Sequence, residues 1–139
     1  MSLFNFSKKS DYGFLFLSKL TLSHINDTRE RVSISSFAKE NNLPIKFMEQ
    51  IAVSLKKGNI VKSIEGRNGG YILSRNPSEI SMFEVLSILE GKVIHTVCMD
   101  ELGTCKYSKN CSMKNIWKGI GGEIEEILKA KTLAQINIK

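Results

Sequence analysis

Pro44-Ile-Lys-Phe-Met-Glu-Gln-Ile-Ala-Val-Ser-Leu-Lys-Lys-Gly58-Asn-Ile-Val-Lys-Ser-Ile-Glu-Gly-Arg67-Asn-Gly-Gly-Tyr-Ile-Leu73 is the stretch whose reading decides the fold. Residues 44–57 carry two faces at helical spacing. Phe47, Met48, Ile51 and Leu55 fall on one side, and Lys46, Glu49, Gln50 and Val53, at i, i+3, i+4 and i+7, form a mostly polar stripe on the other. Pro44 suits the first helical position, where its missing N–H has no partner to lose, and Gly58 ends the helix. Ile60 to Ile64 then alternates loosely as a strand, Gly66-Arg67-Asn68-Gly69-Gly70 turns the chain, and Tyr71-Ile72-Leu73 returns. A helix followed by a hairpin with a glycine-rich tip is the second half of a winged helix-turn-helix.

The preceding residues supply the first half. Residues 10–24 read as a helix, with Tyr12, Leu15, Phe16, Lys19 and Leu20 as a mainly apolar stripe and Ser10 or Asp11 as N-cap. Asn26-Asp27-Thr28 breaks it, and Ser33 caps a short helix containing Ile34, Phe37 and Ala38 that ends at Asn41-Asn42. The expected fold is mainly α with a small β-hairpin wing, a winged helix-turn-helix domain over residues 1–91. Lys46, Glu49 and Gln50 are side chains able to reach phosphates and base edges from the third helix. Arg67, with Asn68 beside it, stands at the hairpin tip, where neighbouring glycines let a guanidinium come close to a phosphate or a narrow minor groove.

Charge agrees with a polyanionic partner. Residues 1–80 carry twelve Lys/Arg against seven Asp/Glu, whereas residues 81–139 carry eight against seven. A basic amino-terminal half suits nucleic acid first and an anionic membrane surface second.

Ser81 and Glu84 form a capping-box pattern opening a helix through Glu90, which Gly91 stops. Residues 92–111 form a loop holding all three cysteines, Cys98, Cys105 and Cys111, among turn-favouring Asp100, Gly103, Ser108 and Asn110. Thiolates gathered on flexible backbone suit an iron–sulfur or other metal site. Three are one short of a tetrahedral set, and His95 and Glu101 are the candidates close in sequence for the fourth donor. From Ser112 a long helix follows, and residues 112–139 read as a dimerisation helix and tail. Met113, Ile116, Trp117, Ile120, Ile124, Ile127 and Leu128 keep helical spacing, an apolar stripe suited to an intersubunit seam. Gly119, Gly121 and Gly122 weaken that helix, each by roughly 1 kcal/mol against alanine. Thr132 is placed to cap a last short turn.

Other classes find little support. No apolar run is long enough for a secretory or membrane-spanning segment, and an odd cysteine count without a leader argues against a disulfide scaffold, so a cytoplasmic protein is expected. His24 and His95 have no evident nucleophile partner and no phosphate-binding glycine loop precedes a helix, which argues against an enzyme and a small-molecule substrate.

The chain resembles the bacterial family of iron–sulfur-dependent winged-helix transcriptional regulators. The resemblance covers residues 6–138 and rests on Ser10-Asp11-Tyr12-Gly13, Phe47-Met48-Glu49-Gln50, Gly66-Arg67-Asn68-Gly69-Gly70-Tyr71, Ile80-Ser81, Glu84-Val85, the cysteine triad, Trp117, and Thr132-Leu133-Ala134. It implies a homodimer joined through the long helices, with Ile116, Trp117, Ile120, Ile124 and Ile127 at the seam, bound to double-stranded DNA at a palindromic operator. In the branch governing iron–sulfur cluster assembly a Glu-Gln pair contacts bases, and Glu49 and Gln50 match it, with Lys46 where a serine stands. There a histidine completes the cluster three residues after the third cysteine; here that position is Lys114, an ammonium with no free lone pair. In the nitric-oxide-sensing branch an aspartate at the start of helix 1 of the other subunit is the ligand, and Asp11 matches it.

The expected function is a DNA-binding transcriptional regulator, acting as a repressor, whose operator affinity is set by a 4Fe-4S or 2Fe-2S cluster sensing nitric oxide, redox or iron–sulfur status. The same regulator with zinc or thiol sensing, and an iron–sulfur electron-transfer or scaffold protein, are the alternatives.

Overall fold

The computed structural model describes residues 6–28, 30–92, 106–107 and 111–136. Among them are α1 (Lys8–Ile25), α2 (Ile34–Glu40), α3 (Ile45–Lys57), β1 (Val61–Ile64), β2 (Gly70–Leu73), α4 (Met82–Glu90) and α5 (Ser112–Ala130), with single 3-10 turns at Pro77–Glu79 and Leu133–Gln135. The fold is mainly helical, a winged helix-turn-helix followed by a long carboxy-terminal helix. None of the described helices is long and apolar enough to cross a membrane.

Helix α1 begins a turn before the expected Ser10 or Asp11, with Ser7 at the N-cap. Ser7 does not cap its own helix through its side chain. A carboxylate from the last residue of α4 does so: Glu90 Oε1 accepts from the Ser7 N–H at 2.8 Å, from Ser7 Oγ at 2.7 Å and from Ser10 Oγ. It also puts a negative charge at the positive end of the helix dipole. The bond from Ser10, then that from Ser7, holds the Glu90 carboxyl below the usual carboxylate range. A lowered folded pKa means stability that is whole above the ordinary carboxylate pKa of about 4.3 and is lost as pH falls through the folded value. Glu90→Gln is therefore expected to lower stability by about 1 kcal/mol at neutral pH, a figure reduced for the partial exposure of the group. In urea titrations the gap to the native protein should close as the pH falls below about 4.

The buried stripe of α1 is Gly13, Phe16, Leu17, Leu20 and Thr21, one position round from the expected one. Leu15 is 45% exposed and Lys19 is exposed. The shift follows from Gly13, where a Cβ would stand 2.6 Å from Leu89 Cδ1, so α4 packs directly on the α1 backbone. Ser33 caps α2 as expected, accepting from the Ser36 N–H at 3.4 Å. Pro44 occupies the N-cap of α3 rather than its first turn.

The hairpin pairs β1 and β2 antiparallel, Val61 opposite Leu73 and Ile64 opposite Gly70. It is fastened to the segment before α2: the Val32 N–H donates to Tyr71 O at 3.0 Å and the Tyr71 N–H to Val32 O at 2.9 Å. Gly70 permits this approach, since a Cβ there would lie 2.8 Å from the Val32 carbonyl. Ser81 Oγ caps α4 by accepting from the Glu84 N–H at 3.0 Å, but the Glu84 carboxylate turns away to Arg75, so only half of the capping box forms.

After α5 the chain returns to the start of α4. The Met82 N–H donates to Lys131 O at 2.8 Å, and the Leu133 N–H to Ile80 O at 3.0 Å. Leu133 is fully buried in one core with Phe16, Leu17, Met48, Ile51, Leu55, Ile80 and Val85.

Candidate nucleic-acid interface and cysteine site

Helix α3 separates its two faces as its spacing predicts. Met48, Ile51, Ala52 and Leu55 are wholly buried, and Phe47 packs against them while meeting Tyr12 of α1 edge to face at 5.8 Å between ring centres. That stack fixes the rotation of α3 about its axis. Lys46, Glu49, Gln50 and Val53 are consequently exposed, and with Ser54 they line a shallow open groove. α3 is also tied to the wing, for Lys56 Nζ donates to Ser63 Oγ at 2.8 Å.

The wing tip is open. Arg67 and Asn68 are exposed, and the turn relies on Gly66 at φ +117°, a left-handed value that side chains disfavour. The Asn68 carbonyl accepts from Arg31 Nη1 at 3.4 Å, which brings a second guanidinium under the tip. Lys62 is exposed on β1. Lys46, Lys62, Arg31 and Arg67 thus add positive charge to the polar face of α3 and to the hairpin beside it, the distribution a phosphate backbone attracts.

Of the cysteine site, Cys98 and Cys105 lie outside the described residues, as do His95 and Glu101. Cys111 is a half-exposed free thiol at the N-cap of α5. Lys114 lies in the first turn of α5, its N–H donating to Cys111 O at 3.2 Å. Asp11 is exposed in the first turn of α1. The N-cap position of α1 is Ser7 and not Asp11, whose carboxylate has no hydrogen bond or ion pair to the described residues. No three His, Cys, Asp or Glu side chains stand close enough to share an ion among the described residues of this one chain.

The apolar stripe on α5 is only partly exposed in the protomer. Ile116, Trp117, Ile120 and Ile127 are 52%, 38%, 39% and 59% exposed, large apolar side chains that the protomer does not cover. Ile124 is half-buried. The flank beside the stripe, with buried Gly121 and half-buried Leu128, is the covered one, and α5 also meets α4 where Lys129 Nζ lies 5.1 Å from the centre of the Phe83 ring. The helix runs unbroken through its glycines, and Gly119 and Gly122 face open space in which an added Cβ would touch nothing.

Sequence reasoning missed Glu90. It reads as an ordinary helix-end residue, and its partners lie eighty or more positions away, so no local signal marks it.

The family model Rrf2, described as an iron-dependent transcriptional regulator, matches residues 6–137. The HTH-type transcriptional regulator CymR of Bacillus subtilis strain 168 is 28% identical over 130 residues, 94% of this chain and 87% of that protein. The HTH-type transcriptional regulator IscR of Escherichia coli is 25% identical over 112 residues, 81% of this chain and 68% of that protein. The solved structure of the B. subtilis CymR, titled the global cysteine regulator, superposes with a TM-score of 0.74 at 27% identity, covering 98% of this chain and all of that one.

Proposed function

The chain belongs to the Rrf2 family of DNA-binding transcriptional regulators, and from that premise we propose that it is a dimeric repressor whose operator affinity is governed by an iron–sulfur cluster on its three cysteines. The observation that carries the DNA-binding part is the pairing of an exposed Lys46-Glu49-Gln50 face on α3 with an exposed Arg67-Asn68 tip on a wing fastened to it. In this reading Glu49 accepts from a cytosine amino group, Gln50 pairs with adenine, and Lys46, Arg67 and Asn68 hold phosphates or the minor groove. The uncovered Ile116, Trp117, Ile120 and Ile127, continued by half-buried Ile124, form the seam with a second copy, which sets two recognition helices on two half-sites about one helical turn apart.

The residues present fit a cluster. Thiolates are its usual donors, and Cys111 offers a free, half-exposed thiol in the same stretch of sequence as Cys98 and Cys105. Asp11, with no hydrogen bond or ion pair to the described residues, serves as fourth ligand from the second subunit; a carboxylate is a harder, more exchangeable donor than a thiolate. When bound, such a cluster supplies a centre reactive towards nitric oxide and oxygen. Asp11 stands on the helix whose Tyr12 stacks on Phe47 of α3, so any movement at the start of α1 is felt by the recognition face.

A second reading keeps the same DNA-binding surface and replaces the cluster by zinc or by thiol switching. It is favoured by the likeness to CymR, whose Staphylococcus aureus form, 25% identical to this chain, has been solved oxidized. Anaerobic purification with absorbance and assays of iron, sulfide and zinc separates the two. The expected result is brown protein with iron and sulfide, and in Asp11→Ala an altered cluster spectrum with dimerisation intact. Colourless protein with stoichiometric zinc, or with no metal, selects the second reading. An unchanged spectrum in Asp11→Ala alongside its loss in His95→Ala transfers the fourth position to His95.

A further inference from the structure

The exposed face of α3 has an apolar centre. Lys46, Glu49, Gln50 and Lys57 stand at i−7, i−4, i−3 and i+4 from Val53, so its neighbours along that face are all polar or charged. Val53 is itself 46% exposed and is no part of the core formed by the other side of the helix. A β-branched side chain is a weaker helix former than the lysine, glutamate or glutamine around it. In the free protein, then, valine here exposes apolar surface and strengthens neither the helix nor the core. It lines one shallow groove with Lys46, Glu49, Gln50 and Ser54.

The major groove offers one apolar group to such a side chain, the C5-methyl of thymine. We infer that Val53 packs on a thymine methyl in each half-site and thereby selects a T·A pair at that step. The inference rests on α3 being the recognition helix. It adds to the polar contacts of Glu49 and Gln50 an apolar one that distinguishes thymine from cytosine, which presents an amino group and no methyl. The surrounding lysines bring the helix to the phosphates, and the valine meets the base edge between them.

Uracil isolates this contact, because it keeps the hydrogen-bonding pattern of thymine and lacks only the methyl. The experiment takes a duplex selected by the full-length protein from a random library and replaces its thymines by deoxyuridine, one symmetric pair at a time. Affinities are measured at fixed salt for the native protein and for Val53→Ala, a substitution at an exposed site that favours helix. One symmetric thymine pair is expected at which uracil weakens native binding about fourfold per half-site, the equivalent of one buried methyl group. At that pair Val53→Ala should bind thymine and uracil duplexes equally, with unchanged salt dependence. If the native protein binds its selected duplex but no thymine pair is uracil-sensitive, or the sensitivity persists in Val53→Ala, the assignment of Val53 is overturned while the DNA-binding reading stands. If no duplex is selected at all, the reading of α3 falls and this inference with it.

Discussion

Ile116→Glu is expected to dissociate the proposed dimer while leaving each protomer folded, raising the dimer Kd at least about a hundredfold. Ile116 is 52% exposed in the protomer, so a glutamate there meets water and costs the fold little. Once a second α5 covers the stripe, the same carboxylate is buried without a partner, and an unpaired buried charge is among the largest single penalties a protein interface can carry. Trp117 and Ile120 lie beside it and lose their apolar neighbour at the same time. Operator affinity should fall with the dimer, because one protomer reaches only one half-site. Sedimentation equilibrium and far-ultraviolet circular dichroism check this together. A folded variant that still sediments as the native oligomer would remove α5 as the interface.

Leu133→Ala is expected to destabilise the protomer by about 2–5 kcal/mol, the range for emptying a fully buried leucine site. Leu133 is entirely buried although it lies in a three-residue 3-10 turn near the chain end. The backbone bonds of Lys131 and Leu133 to Met82 and Ile80 hold it in the winged-helix core, so α5 is anchored to that core at its far end. Loss of Leu133 should therefore lower the urea midpoint of the whole protein in one transition. A separate early transition, with the rest of the unfolding curve unmoved, would show that the terminal turn is a peripheral unit.

Much of the fold was legible because its signals are local. The two faces of α3, the serine caps before α2 and α4, and the glycine-rich hairpin tip each depend on residues within a turn or two of one another. What was hidden depends on distant partners. Ser10 and Asp11 looked like caps because nothing nearby announced that Glu90 would arrive from α4. Gly58 ends α3 at its C-cap as expected, although its φ of −80° is open to any residue. The left-handed residue is Asn59, at φ +60°. Gly58 is instead needed for space, since a Cβ there would fall 2.2 Å from Ile88 Cδ1. The candidate DNA-reading residues were legible for the same reason as α3, being the complement of a buried face. Among the candidate ligands, Cys111 and Asp11 could be found by residue type and resemblance, but only the structure shows that Asp11 is not consumed as a cap.

Cluster control of operator binding is tested by anaerobic titration of a selected dyad duplex with protein reconstituted with iron and sulfide, repeated after treatment with nitric oxide or a chelator. Such control predicts binding as a dimer to two half-sites about one helical turn apart, weakening steeply with salt, and an affinity change of at least about tenfold between the two forms. Equal affinity in both forms, or no enriched dyad under either condition, would contradict it.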